Sequence, residues 1–139
     1  MSVSVEANVQ IVRGLADAIF TQHDFDKAMQ YMSPDFVEHF SGQTLDYASW
    51  RGLVQMFFAA LPDLRLVEIE PQLAEGDKVA TRFAWAGHQT GELLGIPSSG
   101  KELHGRGISI WRVAQGKVVE EWNAEDMLTI LQQLGIAPG

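Results

Sequence analysis

A single change of period divides this chain. As far as Pro62 its apolar residues recur every three or four positions, the spacing of a helix face; beyond Pro62 they alternate, the spacing of a strand. Val5, Val9, Val12, Ala16 and Ile19 predict an amphipathic helix over Val5–Phe20. A short second helix is expected from Asp24 as N-cap, with Phe25, Ala28, Met29 and Met32 turned inward. It should stop at Ser33-Pro34, because proline pushes the preceding residue out of helical geometry. The stretch Phe36–Phe40 is short and mixed. A third helix is expected from about Asp46 to Leu61, carrying a bulky stripe of Trp50, Leu53, Val54, Phe57 and Leu61, with Pro62 as its stop.

After that point β-rich runs fall at Leu64–Leu73, Val79–His88, Glu102–Val113 and Val118–Asn123. Turn signals separate them: Glu75-Gly76-Asp77, the longer Gly91–Gly100 loop and Gln115-Gly116-Lys117. A last helix follows with Met127, Ile130, Leu131 and Leu134 at helical spacing, ending at Gly135, which can take the left-handed cap. Helices first and consecutive antiparallel strands afterwards imply an α+β fold, the helices packed on one face of a curved sheet. With 139 residues, 46% of them hydrophobic, the chain holds one core, and residues 1–139 are read as one domain.

A formal charge of −8 lacks the basic footprint that phosphate binding needs, which argues against a nucleic-acid partner or a polyanionic ligand. The absence of cysteine excludes disulfide scaffolds, thiolate metal sites and cysteine nucleophiles. No basic start leads into an apolar run at the N-terminus, and no stretch approaches the roughly 18–20 apolar residues that span a bilayer. The expectation is a cytoplasmic protein without a membrane partner.

Strict alternation along the last strand puts Val118, Glu120, Trp122, Ala124 and Asp126 on one face and Val119, Glu121, Asn123 and Glu125 on the other. Asp126 beside the apolar surface of Trp122 would have its charged form disfavoured and would become a better acid or base. The same residue precedes the last helix, where aspartate is a preferred N-cap, and the two roles are compatible. His104, Arg106, Ile108 and Ile110 alternate onto one face, so His104 and Arg106 would make a polar corner in an apolar cavity. His39, next to Phe40, and His88 also fall on or beside sheet segments, and each can titrate near neutrality, though a half-exposed structural histidine is the plainer reading of any one of them. Their spacing matches no zinc motif. Arg82 could anchor a carboxylate or enolate oxygen or form a surface ion pair. Trp50 and Phe57 are core residues first and pocket lining second. No phosphate loop, nucleophile elbow or dinucleotide fingerprint is present, so any chemistry is expected to need no cofactor and no metal.

The stretches GDKVATR (76–82), GHQTGELLGIPSSGKE (87–102) and GKVVEEWNAEDMLTILQQLG (116–135), with Phe36–His39 and Leu61-Pro62-Asp63, resemble the SnoaL-like polyketide cyclases of the nuclear transport factor two-like superfamily, over nearly the whole chain. The resemblance implies a cone of helices on a strongly curved sheet, a cystatin-like α+β barrel with a deep apolar pocket, and frequent dimerisation through the sheet. It implies an intramolecular aldol closure of a small hydrophobic polyketide-like substrate, with an aspartate near the last helix as acid and base. Asp126 matches that aspartate in the spacing Glu121, Trp122, Asp126; His39 matches a pocket histidine, and His104 lies on a pocket strand. Catalysis is therefore expected from Asp126, His104 and His39, and substrate contact from Trp122, Arg106, Trp50, Phe40 and Arg82. Gln89 stands where the family commonly has histidine, and His88 stands one place earlier, where alternation turns it onto the other face. Two rivals remain: a limonene-type epoxide hydrolase, for which no second aspartate on a facing strand is evident, and a module that only binds its ligand.

Overall fold

The computed structural model describes residues 4–138. Helix α1 spans Val5–Ala16, starts on the Ser4 hydroxyl, which accepts from the Ala7 N–H, and runs on as a π-helical turn over Asp17–Thr21. Helix α2 is a single turn, Phe25–Ala28, capped by Asp24 as expected. It ends earlier than the spacing predicts: Met32, Ser33 and Pro34 already belong to strand β1, Met32–Phe40. A hairpin to β2, Gln43–Asp46, leads into α3, Tyr47–Ala60, whose cap is the Asp46 carboxylate accepting from the Ser49 N–H at 2.8 Å. The run Leu64–Leu73 divides into β3, Arg65–Glu68, and β4, Gln72–Glu75, separated at Pro71, which has no N–H to give a ladder. Strands β5, Lys78–His88, β6, Glu102–Ala114, and β7, Lys117–Glu125, form the long centre of the sheet. Helix α4, Met127–Gln133, closes the chain, with Gly135 in the left-handed region after it at φ 74°.

The sheet order is β2-β1-β7-β6-β5-β3, with β4 also on β5. Strands β5, β6 and β7 pair antiparallel in sequence order, as the turns predict. The departure is β1, which lies parallel to β7. Its own residues hid it: a proline and two acids three positions apart, Asp35 and Glu38, mask the period of two, so only the tertiary pairing makes it a strand. The result is an α+β fold with a mixed, curved sheet whose inner face is covered by α1, α2 and α3.

Two apolar clusters fill the interior. One joins Val12, Leu15 and Ile19 of α1 to Phe36, Trp50, Val79 and Trp111; the other joins Leu61, Leu64, Trp85, Leu103 and Ile130. The loop after β5 is held from inside by Gln89, fully buried, whose amide donates to Ile96 O and Pro97 O at 3.1 Å each and whose carbonyl accepts from Ser99 Oγ at 2.6 Å. His88 faces outward and binds Asp63 at 2.7 Å.

Candidate active site

Between the sheet and α3 lies a cavity of about 110 Å³ with mainly apolar walls. Trp50, Leu53 and Phe57 of α3 form one wall, and Phe83, Trp85 and Trp111 of the sheet form the other. The inward positions of the strands are therefore Thr81, Phe83 and Trp85 on β5, Ser109 and Trp111 on β6, Glu121, Asn123 and Glu125 on β7, and Glu38 and Phe40 on β1. Alternation by itself leaves two faces for each strand; the packing of α3 chooses this one.

Three glutamates stand in this setting. Glu38 and Glu121 are direct neighbours across the parallel β1–β7 pair, and only 5% and 3% of their surfaces reach solvent. Ser109 Oγ donates to Glu121 Oε2 at 2.6 Å, and Asn123 Nδ2 donates to Ser109 Oγ at 2.9 Å. No N–H or hydroxyl meets Oε2 of Glu38 or Oε2 of Glu125. Burial, then the Glu121 charge beside it, pushes the Glu38 carboxyl up to about 12. Burial also raises Glu121, against the donors that favour its charge. Glu125, two pleats along β7 from Glu121, is raised to about 8, mainly by burial, with the Glu121 charge adding and a bond from Trp85 opposing. An apolar pocket that holds carboxyls near or above neutrality is suited to moving protons. Among the described residues no three His, Asp or Glu side chains converge in a way that would hold a metal ion.

The structure brings few of the sequence-expected residues into this cavity. Trp50 and Phe40 line it. Asp126 lies outside: its carboxylate accepts from the Thr129 N–H at 3.1 Å and from Thr129 Oγ1 at 2.7 Å, is 38% exposed, and stands 3.9 Å from Arg106 Nε. Those Thr129 bonds, and more weakly Arg106, hold it below the usual carboxylate range, opposite to the elevation expected beside Trp122. His104 is 63% exposed and pairs with Glu102 at 2.9 Å; Arg106 is exposed as well. Arg82 pairs with Glu68 at 3.2 Å on the outer face. His39 stacks on Trp122 with ring centroids 5.4 Å apart and bonds Glu120 at 2.6 Å, also outside. The polar corner expected of His104 and Arg106 is thus on the convex side, sharing it with Ile108 and Ile110.

The physical reason is parity. In β7 the register slips by one residue, Val118 opposing Val113 and Glu120 opposing Arg112, so Val118 is buried with the core while Glu120 and Trp122 face out. Glu38, Glu121 and Glu125 were missed because acids at alternate positions read as a solvated face. The available signal was Thr81, Ser109 and Asn123, small polar residues in register with one another on the face that carries Phe83, Trp85 and Trp111, which marks a polar patch inside an apolar face.

The family model of SnoaL-like polyketide cyclases matches residues 10–134. The chain is 26% identical over 135 residues to aklanonic acid methyl ester cyclase DnrD of Streptomyces peucetius, covering 94% of this chain and 92% of that one. Among solved structures, AclR of Streptomyces galilaeus, a candidate hydroxylase, superposes with a TM-score of 0.89 at 27% identity, covering 98% of this chain and 89% of AclR. IdmH of Streptomyces antibioticus, a candidate polyketide cyclase, superposes with a TM-score of 0.81 at 29% identity, covering 92% of this chain and 98% of IdmH.

Proposed function

The chain belongs to the SnoaL-like polyketide cyclase family, and from that premise we propose that it is an enzyme closing a ring in a small hydrophobic carbonyl substrate by acid–base chemistry in the cavity above, with Glu125 as the base. The observation that carries this reading is a carboxyl inside an aromatic-walled cavity whose Oε2 has no donor. In its ionised form such a group is a strong base for a carbon acid. Glu125 takes a proton from a carbon next to a carbonyl, the enolate carbon attacks a second carbonyl of the same molecule, and the new alkoxide takes the proton back. One C–C bond forms, one C=O becomes C–O–H, and the product is an isomer of the substrate. The proton that Glu125 removes from carbon is the one it returns to oxygen, so none is gained or lost overall.

Aklanonic acid methyl ester, the compound in the relative's name, is the first substrate to try. Wild type is expected to give an isomer, and Glu125→Gln to lower kcat by about 100-fold or more. If Asp126→Asn abolishes closure while Glu125→Gln retains it, the base is Asp126 and the present assignment is wrong. A product heavier by one oxygen, or by one water with label from the solvent, would replace the reading by hydroxylation or epoxide hydrolysis. Tight binding without turnover would favour the binding module.

A second copy of the chain is the proposed partner. Ile108 and Ile110 are 55% and 40% exposed on the convex face, beside Phe40 and Trp122 in a shallow groove. Such an apolar face on the outside of a sheet is a natural place for two copies to meet. No helix among the described residues is long and apolar enough to cross a membrane, and action in the cytoplasm is part of the proposal.

A further inference from the structure

We propose that Glu38 is a second catalytic residue, a neutral carboxylic acid paired with Glu121 that donates a hydrogen bond to the enolate oxygen while Glu125 holds the abstracted proton. The inference rests on Glu125 as the base and adds what the reaction needs at the other end, since charge arriving on an oxygen in an apolar cavity is costly without a donor.

The hydrogen-bond network identifies which carboxyl holds a proton. Glu38 and Glu121 are side by side across parallel strands and almost fully buried, and two adjacent carboxylates in such a place do not both ionise. The amide nitrogen of Asn123 can only donate, and it donates to Ser109 Oγ. The Ser109 proton is therefore free for Glu121, where it makes the 2.6 Å bond to Oε2. That donor favours the charged form of Glu121. Glu38 has no donor at Oε2 and shares a side-chain hydrogen bond with Glu121 that favours the charge on Glu121, so the proton of the pair sits on Glu38, which gives it to Glu121 at rest and to the enolate oxygen when one forms. Glu38 also lines the cavity, together with Glu125. A carboxylic acid kept neutral by its surroundings is a strong hydrogen-bond donor to an oxyanion, whereas an ionised one at the same place would repel it. Glu121 acts through Glu38 and is a positioning residue.

The test uses the full-length chain. Infrared spectra at neutral pH should show, beside the band of protonated Glu125, the C=O stretch of a second protonated carboxyl that disappears in Glu38→Gln and persists in Glu125→Gln. In Glu121→Gln the negative neighbour is gone and an amide N–H faces Glu38, so that band should vanish at lower pH than in wild type. With a substrate that wild type converts, Glu38→Leu should lower kcat about 100-fold or more with little change in KM, and Glu38→Gln, which keeps an N–H donor, should recover about tenfold of that loss. Absence of the second band in wild type at neutral pH overturns the proposal. So does a pair of Glu38 variants with kcat within about twofold of wild type, a result that leaves Glu125 as the base provided Glu125→Gln is inactive. If Glu125→Gln is fully active, the underlying reading fails, and the infrared band then reports a structural pair without a catalytic role.

Discussion

Glu125 and Asp126 are consecutive in the chain and opposite in the fold: Glu125 lines the apolar cavity, whereas Asp126 caps α4 from the solvent side through Thr129. Burial raises the first and hydrogen bonds from Thr129 lower the second, so two carboxyls one residue apart are prepared for different work.

Activity should follow the ionisation of Glu125. A base raised to about 8 by burial is mostly protonated at neutrality, so kcat/KM should climb with pH up to that value and then level. Measurement of kcat/KM between about pH 6 and pH 9 checks this, and a flat profile across the range would remove Glu125 as the base.

Stability should move the other way. The folded carboxyl of Glu125 gives up its proton at about 8, while the unfolded chain does so near the ordinary 4.5. Its contribution is therefore complete below about 4.5 and declines as pH rises toward 8, where the unfolded state binds fewer protons than the folded one. Glu125→Gln removes this penalty. Urea unfolding should show the variant gaining on wild type by at least about 1 kcal/mol between the acid and the alkaline end. An identical pH dependence of the two proteins would contradict the buried placement.

Asp126 separates capping from catalysis. Asp126→Ala loses both Thr129 bonds and should lower the thermal midpoint, while Asp126→Asn keeps an acceptor and should stay near wild type. Turnover by both variants should remain within about threefold of wild type once folded.

Gly105 makes room for the cavity wall. A Cβ there would lie 2.1 Å from the Trp85 indole. Gly105→Ala should cost about 1–3 kcal/mol through overpacking, and the tryptophan emission should shift as the indole is displaced. Unchanged stability and emission would mean that the Trp85 indole does not lie against Gly105.

The convex face should carry self-association. Ile110→Asp places a charge where Ile108, Phe40 and Trp122 border the same groove, and sedimentation should show the variant shifted toward monomer. A wild type that is monomeric at all concentrations would refute the second copy as partner.

The helix signals of the sequence are local, and they hold: Asp24, Asp46 and Asp126 each precede a helix and each accepts the expected backbone N–H. The long strands after Pro62 were equally legible, because period two with Gly turns between is a local pattern too. Strand β1 was not, since Pro34 and its acids make sense only once β7 lies beside it.

The candidate site was less legible than the fold. Alternation sorts Glu121 and Glu125 from Trp122 and Asp126 correctly, but it does not say which set faces inward, and an acidic set reads as the wet one. Trp50 and Phe40 were reachable because bulky apolar residues go inside on either reading.

The sequence by itself determined the helix starts and their caps, the three long strands β5, β6 and β7 with the turns between them and, through its motifs, the family, because each of these depends on residues near one another along the chain. Only the tertiary structure decided which sheet face is covered by α3 and that β1 brings Glu38 to Glu121. Those two facts convert acids that would ionise in water into buried carboxyls, since burial and a neighbouring charge arise only between parts of the chain that folding brings together.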